Sequence, residues 1–265
     1  MKLHLARLAL MCAALLSATF ATAATPSVMV SGGTMMNGDH FADSNLTALR
    51  EHFAGCRHIA LVLHATPPVD LERMEARLQK AFEHLLGAKA ESLHHRDAAG
   101  QRQMLETADG IFVGGGETFV LLAALHRLDQ LSVIRARVAA GVPYLGTSAG
   151  ANVAGPFIGT TNDFPVAEIP TRQSLGIFPA LINPHHPLPA EAEFKGRANK
   201  IRYYHKFNPN DLILGIGNTS LVRLHGGQVT VVVGSAWLYR AGGVRELHAG
   251  DTLPELVGAS ASQSD

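Results

Sequence analysis

Apolar residues recur along the chain in two rhythms, and the alternation between them outlines most of the fold. Val28-Met29-Val30, Ile59 to Leu63, Ala90 to Leu93, Gly110 to Val113 and Val142-Tyr144-Leu145 are short apolar runs of strand length, each followed by glycine, proline or polar residues. Between them lie stretches with helical spacing. These are Asn45 to Phe53, a long stripe of Leu71, Met74, Leu78, Phe82 and Leu85 capped by Asp70 and stopped at Gly87, Gln101 to Leu105, a segment carrying Leu121, Leu122 and Leu125, and Leu131 to Ala140. Strands alternating with helices predict an α/β fold, a mostly parallel central sheet with helices on both faces. The pattern then changes. A short strand at 180–183 and a helix over 190–204 give way to apolar runs at 212–216, 220–224, 229–233 and 236–239, so the C-terminal part is predicted to be β-rich, with Gly226-Gly227 turning one hairpin.

The two ends of the chain do not belong to this pattern. Lys2 and Arg7 precede an apolar run from Leu8 to Phe20, which ends at Ala21-Thr22-Ala23. A charged start, a hydrophobic middle and an A-x-A site are the marks of a secretory signal peptide, expected over 1–23 with cleavage at its end. The expected mature chain is one domain over 24–258, followed by a small, polar, frayed tail at 259–265, in a periplasmic or secreted protein that has no membrane anchor once the signal is removed. After cleavage Cys56 is the only cysteine, so no intramolecular disulfide can form and packing must supply the stability.

Charge narrows the function further. Lys plus Arg and Asp plus Glu number 22 each, so there is no basic field to attract nucleic acid. Neither a P-loop nor a G-x-G-x-x-G fingerprint is present, and no cofactor is expected. His94-His95 and His185-His186 are neighbours, and adjacent residues of a strand point to opposite faces. On that reading neither pair chelates an ion and no metal site is expected.

The chemistry concentrates in Gly146-Thr147-Ser148-Ala149-Gly150, between the fifth strand and the small residues Ala151 to Ala154. A G-x-S-x-G joining strand to helix is the pattern of a nucleophile elbow, in which a tight turn lifts the serine oxygen to the sheet's C-terminal edge. The fourth strand runs into Gly114-Gly115-Gly116-Glu117, whose freed backbone N–H groups can meet developing negative charge. Gly116 and Ala149 are then the candidate oxyanion donors. Pro184-His185-His186-Pro187 offers a histidine on a stiff bend as a candidate base.

Several segments together resemble peptidase E: VGGGETF (113–119), PYLGTSAGANVAGP (143–156), TTNDFP (160–165), LGIFPALINPHH (175–186) and WLYRAG (237–242). The family comprises serine α-aspartyl dipeptidases, and its fold resembles the class I glutamine amidotransferases, a flavodoxin-like arrangement. The resemblance implies Ser148 as nucleophile, His185 as base and a small peptide as substrate. It implies a glutamate in a G-x-P-E-G motif as the histidine's partner, but the matching stretch here is Gly215-Ile216-Gly217-Asn218-Thr219. Asn218, or Asp163 of the T-T-N-D segment, is therefore the candidate third residue. Glu117 stands where the family usually has asparagine, and would repel an acidic side chain or pair with the substrate's amino group. Arg197, in a contracted K-G-x-x-R segment, would clasp an aspartyl carboxylate. Two other readings stay open: a cyanophycinase-like β-aspartyl peptidase, and a non-catalytic periplasmic binding module on the same scaffold.

Overall fold

The computed structural model describes residues 25–256. The expected signal peptide and frayed tail lie outside these residues. In chain order the elements are β1 (Ser27–Ser31), β2 (Met36–Asn37), β3 (His40–Phe41), α1 (Asp43–His52), β4 (His58–Val62), α2 (Leu71–Leu86), β5 (Lys89–Ser92), α3 (Ala98–Thr107), β6 (Gly110–Val113), α4 (Thr118–Arg127), α5 (Gln130–Ala139), β7 (Tyr144–Thr147) and α6 (Ala149–Ala154). The second half adds β8 (Leu181–His186), α7 (Glu193–His205), β9 (Ile213–Gly217), β10 (Leu221–His225), β11 (Gln228–Val233), β12 (Ser235–Arg240) and β13 (Gly243–His248).

Seven strands form the main sheet in the order β11-β10-β1-β7-β6-β4-β5. The five from β1 to β5 run parallel, and β10 and β11 extend the β1 edge antiparallel. Period-two alternation sends successive side chains to opposite faces. Val28, Val30, Ala60, Val62, Ile111, Val113 and Tyr144 face a core shared with Leu105, Leu121, Leu125 and Ile134 of α3, α4 and α5. Met29, Ile59, Leu61, Phe112 and Leu145 pack against Leu49 of α1 and Leu78, Phe82 and Leu85 of α2. The parallel α/β core is therefore as expected from the pattern.

The β-rich end is divided. Its strands do not form one extension: β8, β9, β12 and β13 build a second sheet in the order β13-β12-β9-β8, which shares the first core through Ile182, Leu214, Ile216 and Leu238. The other face of this sheet buries Trp237 and Tyr239 against Ile201 of α7. The β10–β11 hairpin turns at Gly226-Gly227, both with positive φ, 60° and 74°. Strand β13 and the short β2–β3 hairpin were not foreseen, because neither carries a sustained apolar alternation.

Two local expectations need correction. Asp70 does not cap α2 with its side chain, which instead pairs with Arg73 at 2.6 Å. His94 and His95 are not on a strand: they close a 3-10 turn, Leu93–His95, and their rings lie 3.8 Å apart, centre to centre. Such a turn advances by roughly a third of a revolution per residue instead of a half, so the neighbours do not diverge.

Candidate active site

The elbow forms where β7 ends. Ser148 has φ 52° and ψ −110°, a strained conformation for a residue with a Cβ, and its N–H is tied to the carbonyl of Ser31 at 3.1 Å. Space decides the flanking residues. A Cβ on Gly146 would overlap the carbonyl oxygen of Gly150, and one on Gly150 would overlap that of Val113. The turn can therefore be made only with glycine on both sides of the serine.

His185 arrives from the second sheet. Its position depends on an irregularity in β8: the register with β9 breaks between Asn183 and His186, around a proline that has no N–H to donate. His185 takes a positive φ of 50° there, and its N–H is held by the carbonyl of Gly32 at 2.8 Å. The ring turns toward the elbow, with Nε2 2.7 Å from Ser148 Oγ. The two sheets thus meet at the Ser148–His185 pair.

Asn218, just beyond β9, completes the row. Its Oδ1 lies 2.7 Å from His185 Nδ1, while its Nδ2 donates to Thr34 Oγ1 at 3.4 Å. The Thr34 hydroxyl can accept from Nδ2 in this orientation. With oxygen toward the ring, Nδ1 carries the proton and Nε2 is left free to accept from the serine hydroxyl. An amide turned the other way would offer a donor to Nδ1 and force the unproductive tautomer. The row leans on Gly33, where a Cβ would overlap both Asn218 Oδ1 and His185 Cε1. Gly33 reads in the sequence only as a turn residue, and nothing local marks its partners.

Among the described residues Asp163 makes no hydrogen bond to this histidine. Its carboxylate accepts from the N–H of Thr118 at 2.9 Å and from the Thr118 hydroxyl. Thr161 bonds the same hydroxyl, Thr160 bonds the carbonyl of Ile182 at 3.0 Å, and Asn152 of α6 reaches Thr118 and Thr161. The T-T-N-D segment therefore ties β8, α6 and the start of α4 together behind the glycine loop. Glu117 also serves α4, accepting from the N–H of Val120 at 2.8 Å, and burial holds its carboxyl above the usual range.

Above the serine, the N–H groups of Gly116 and Ala149 have no protein acceptor among the described residues. Both stand at the elbow's edge, since a Cβ on Gly115 would meet that of Ser148 at 3.0 Å and Ala149 follows the serine directly. Arg197 of α7 is half-buried, donating through one nitrogen to Asn183 Oδ1 at 2.6 Å and to the Pro184 carbonyl at 3.2 Å. No carboxylate pairs with it among the described residues, so it is a cation held beside the histidine's strand with its other N–H groups free of protein partners.

The second histidine of the pair has a different task. His186 is buried, stacked on Trp237 at 4.6 Å, with Nδ1 on the Pro187 carbonyl and Nε2 on the Tyr239 hydroxyl at 2.8 Å. Burial lowers its pKa to about 4, and burial does the same to His52, which bridges Ser27 and the Tyr144 carbonyl. Both are folded as neutral rings, while in the unfolded chain they titrate near 6.5. Their contribution is therefore complete above about pH 6.5 and is lost as pH falls toward 4. Each is expected to cost of order 2 kcal/mol at pH 4.5. Urea midpoints at pH 7 and 4.5 check this: the fall should be smaller in His186→Gln, and an equal fall in both proteins would contradict it.

A parallel α/β sheet, a strained serine at a strand-to-helix elbow and an imidazole bonded to that serine define a nucleophile-elbow hydrolase architecture. A model of peptidase family S51 matches residues 28–232. A peptidase E of Shewanella amazonensis is 40% identical over 163 residues, 60% of this chain and 69% of that protein. One from Pasteurella multocida is 32% identical over 209 residues, 77% and 88% of the two chains. The crystal structure of a peptidase from an acI-B1 actinobacterium superposes with a TM-score of 0.67 over 87% of this chain and 98% of that one, at 16% identity, a likeness of fold. The chain belongs to peptidase family S51.

Proposed function

We propose that this protein is an exported serine dipeptidase that hydrolyses short peptides bearing an acidic N-terminal residue, aspartate first. The single observation that carries the chemistry is the 2.7 Å bond between Ser148 Oγ and His185 Nε2 at a strained elbow. His185 takes the hydroxyl proton as Oγ attacks the peptide carbonyl, and the resulting oxyanion turns to the N–H groups of Gly116 and Ala149. The imidazolium then protonates the leaving amine. Water then attacks the acyl carbonyl while giving a proton to His185, and as the C–Oγ bond breaks the imidazolium returns that proton to Ser148 Oγ and the free acid leaves. Asn218 holds the tautomer throughout but adds no charge to the imidazolium, so its help is geometric.

The acidic preference is supported by Arg197, a half-buried guanidinium with no carboxylate partner among the described residues, held by Asn183 and Pro184 immediately before His185. Burial pushes its pKa down, as for a cation short of a counter-charge, and a substrate carboxylate supplies one. Glu117, at the helix mouth after Gly116, suits the positive amino end of a short peptide. Export is supported by the charged, apolar and A-x-A run of residues 1–23.

Initial rates on Asp-Leu, Ala-Leu, N-acetyl-Asp-Leu and β-aspartyl-arginine test this reading. Asp-Leu should exceed Ala-Leu in kcat/KM by roughly 10²-fold, the loss expected when a buried charge goes unpaired, and Arg197→Ala should erase the difference. Acetylation should also slow cleavage. Equal rates on Asp-Leu and Ala-Leu, or a preference for β-aspartyl-arginine, would contradict it.

A further inference from the structure

On the far edge of the main sheet, three strands from the elbow, four side chains from two elements converge. Glu72 and Glu75 lie one turn apart on α2, and His94 and His95 close the turn after β5. One nitrogen or oxygen from each lies within 4.8 Å of all the others. His94 Nε2 is 3.2 Å from Glu72 Oε1 and 3.8 Å from Glu75 Oε2. His95 Nε2 is 2.6 Å from Glu75 Oε2 and 4.0 Å from Glu72 Oε2. Ligands of a tetrahedral zinc, each about 2.0–2.1 Å from the ion, stand roughly 3.3 Å apart. The observed separations bracket that value, so small side-chain rotations would admit the ion.

The outer contacts also suit a metal. His94 Nδ1 lies 2.6 Å from Ser92 Oγ, which can accept the Nδ1–H hydrogen bond and leave Nε2 as the ligating nitrogen. Glu75 is the telling member. Its side chain is only 6% exposed, and Oε1 is engaged by the N–H of Ser92 at 2.8 Å and by Gln79 at 3.2 Å. Its Oε2 points at the two imidazoles, and no lysine or arginine pairs with Glu75 among the described residues. The cations nearby, Lys89 and Arg96, go to Glu91. A carboxylate removed from water is stabilised by positive charge, and a divalent ion seated between its Oε2 and the two imidazole nitrogens would supply it.

We propose that Glu72, Glu75, His94 and His95 form a binding site for one zinc ion. Two imidazole nitrogens and two carboxylate oxygens fit a borderline-soft divalent metal and not magnesium or calcium, which take oxygen ligands. Four protein ligands close the tetrahedron and leave no open position, so the ion is structural. It would clasp α2 to the turn beyond the edge strand β5, roughly 14 Å across the sheet from the elbow at the usual spacing of strands.

The test is calorimetric titration of zinc into the chelator-treated, full protein. The expected result is one zinc per chain, a Tm raised by roughly 5–10 °C at zinc a hundredfold above Kd, and no comparable effect of magnesium. His94→Ala/His95→Ala should lose the binding and the Tm shift while keeping its hydrolysis of Asp-Leu. Should that variant not fold, Glu72→Gln, at an exposed position, should weaken zinc at least tenfold. Absence of saturable zinc uptake would overturn the proposal. So would uptake unchanged in these variants, or abolished by His185→Ala alone.

Discussion

Replacing Ser148 by alanine, or His185 by alanine, is expected to lower kcat for Asp-Leu by about 10⁴–10⁶-fold, with KM little changed. The two groups act as a unit. Without the imidazole the hydroxyl keeps its proton, and without the hydroxyl the imidazole has nothing to activate, so the double variant should be no worse than either single one. Residual activity would come from the N–H groups of Gly116 and Ala149 polarising the carbonyl. Neither side chain is buried in a core, and both residues hold their backbone through main-chain bonds to Ser31 and Gly32, so circular dichroism and Tm should be close to those of the parent. Losses that multiply in the double variant would mean that the two residues act separately.

Gly33→Ala should cost at least about 10²-fold in kcat, although Gly33 brings no side chain to the site. An added methyl would stand where Asn218 Oδ1 and His185 Cε1 now lie. Neither neighbour can yield freely. Asn218 is held by Thr34, and His185 is fixed at a bulge whose N–H is bonded to Gly32. The methyl must then tilt the imidazole away from Ser148, and a displacement of about 1 Å at a reacting pair carries a penalty of this size. Steady-state kinetics on Asp-Leu should place the loss in kcat more than in KM. A Gly33→Ala protein with parental kcat would show that the row does not need its present position.

How much of this could be read beforehand depends on the distance over which each constraint acts. The parallel core was legible because a strand's two faces impose their demand within a few residues: Val28, Met29 and Val30 already separate the two cores. The elbow was legible for the same reason, since the serine's strain demands glycine at Gly146 and Gly150. Of its partners, His185 and Asn218 were named through the resemblance, but the role of Gly33 was hidden, because Gly33 and Asn218 meet only after both sheets have assembled and no local pattern records that contact. Asp163 was ambiguous because a carboxylate in a Thr-rich turn serves a helix start as readily as an imidazole, and the hydroxyl of Thr118 claims it. The division of the C-terminal strands into two sheets was hidden too, because apolar alternation identifies a strand without naming its neighbour. His94-His95 misled by assuming a strand's period where the chain makes a 3-10 turn.

Covalent labelling with a fluorophosphonate measures most directly whether Ser148 is a nucleophile made reactive by His185. The predicted result is a single adduct, mapped by mass spectrometry to the peptide containing Ser148, absent from Ser148→Ala and formed at least 10²-fold more slowly in His185→Ala. A wild-type protein that stays unlabelled, or one labelled at Ser148 just as fast without His185, would contradict it.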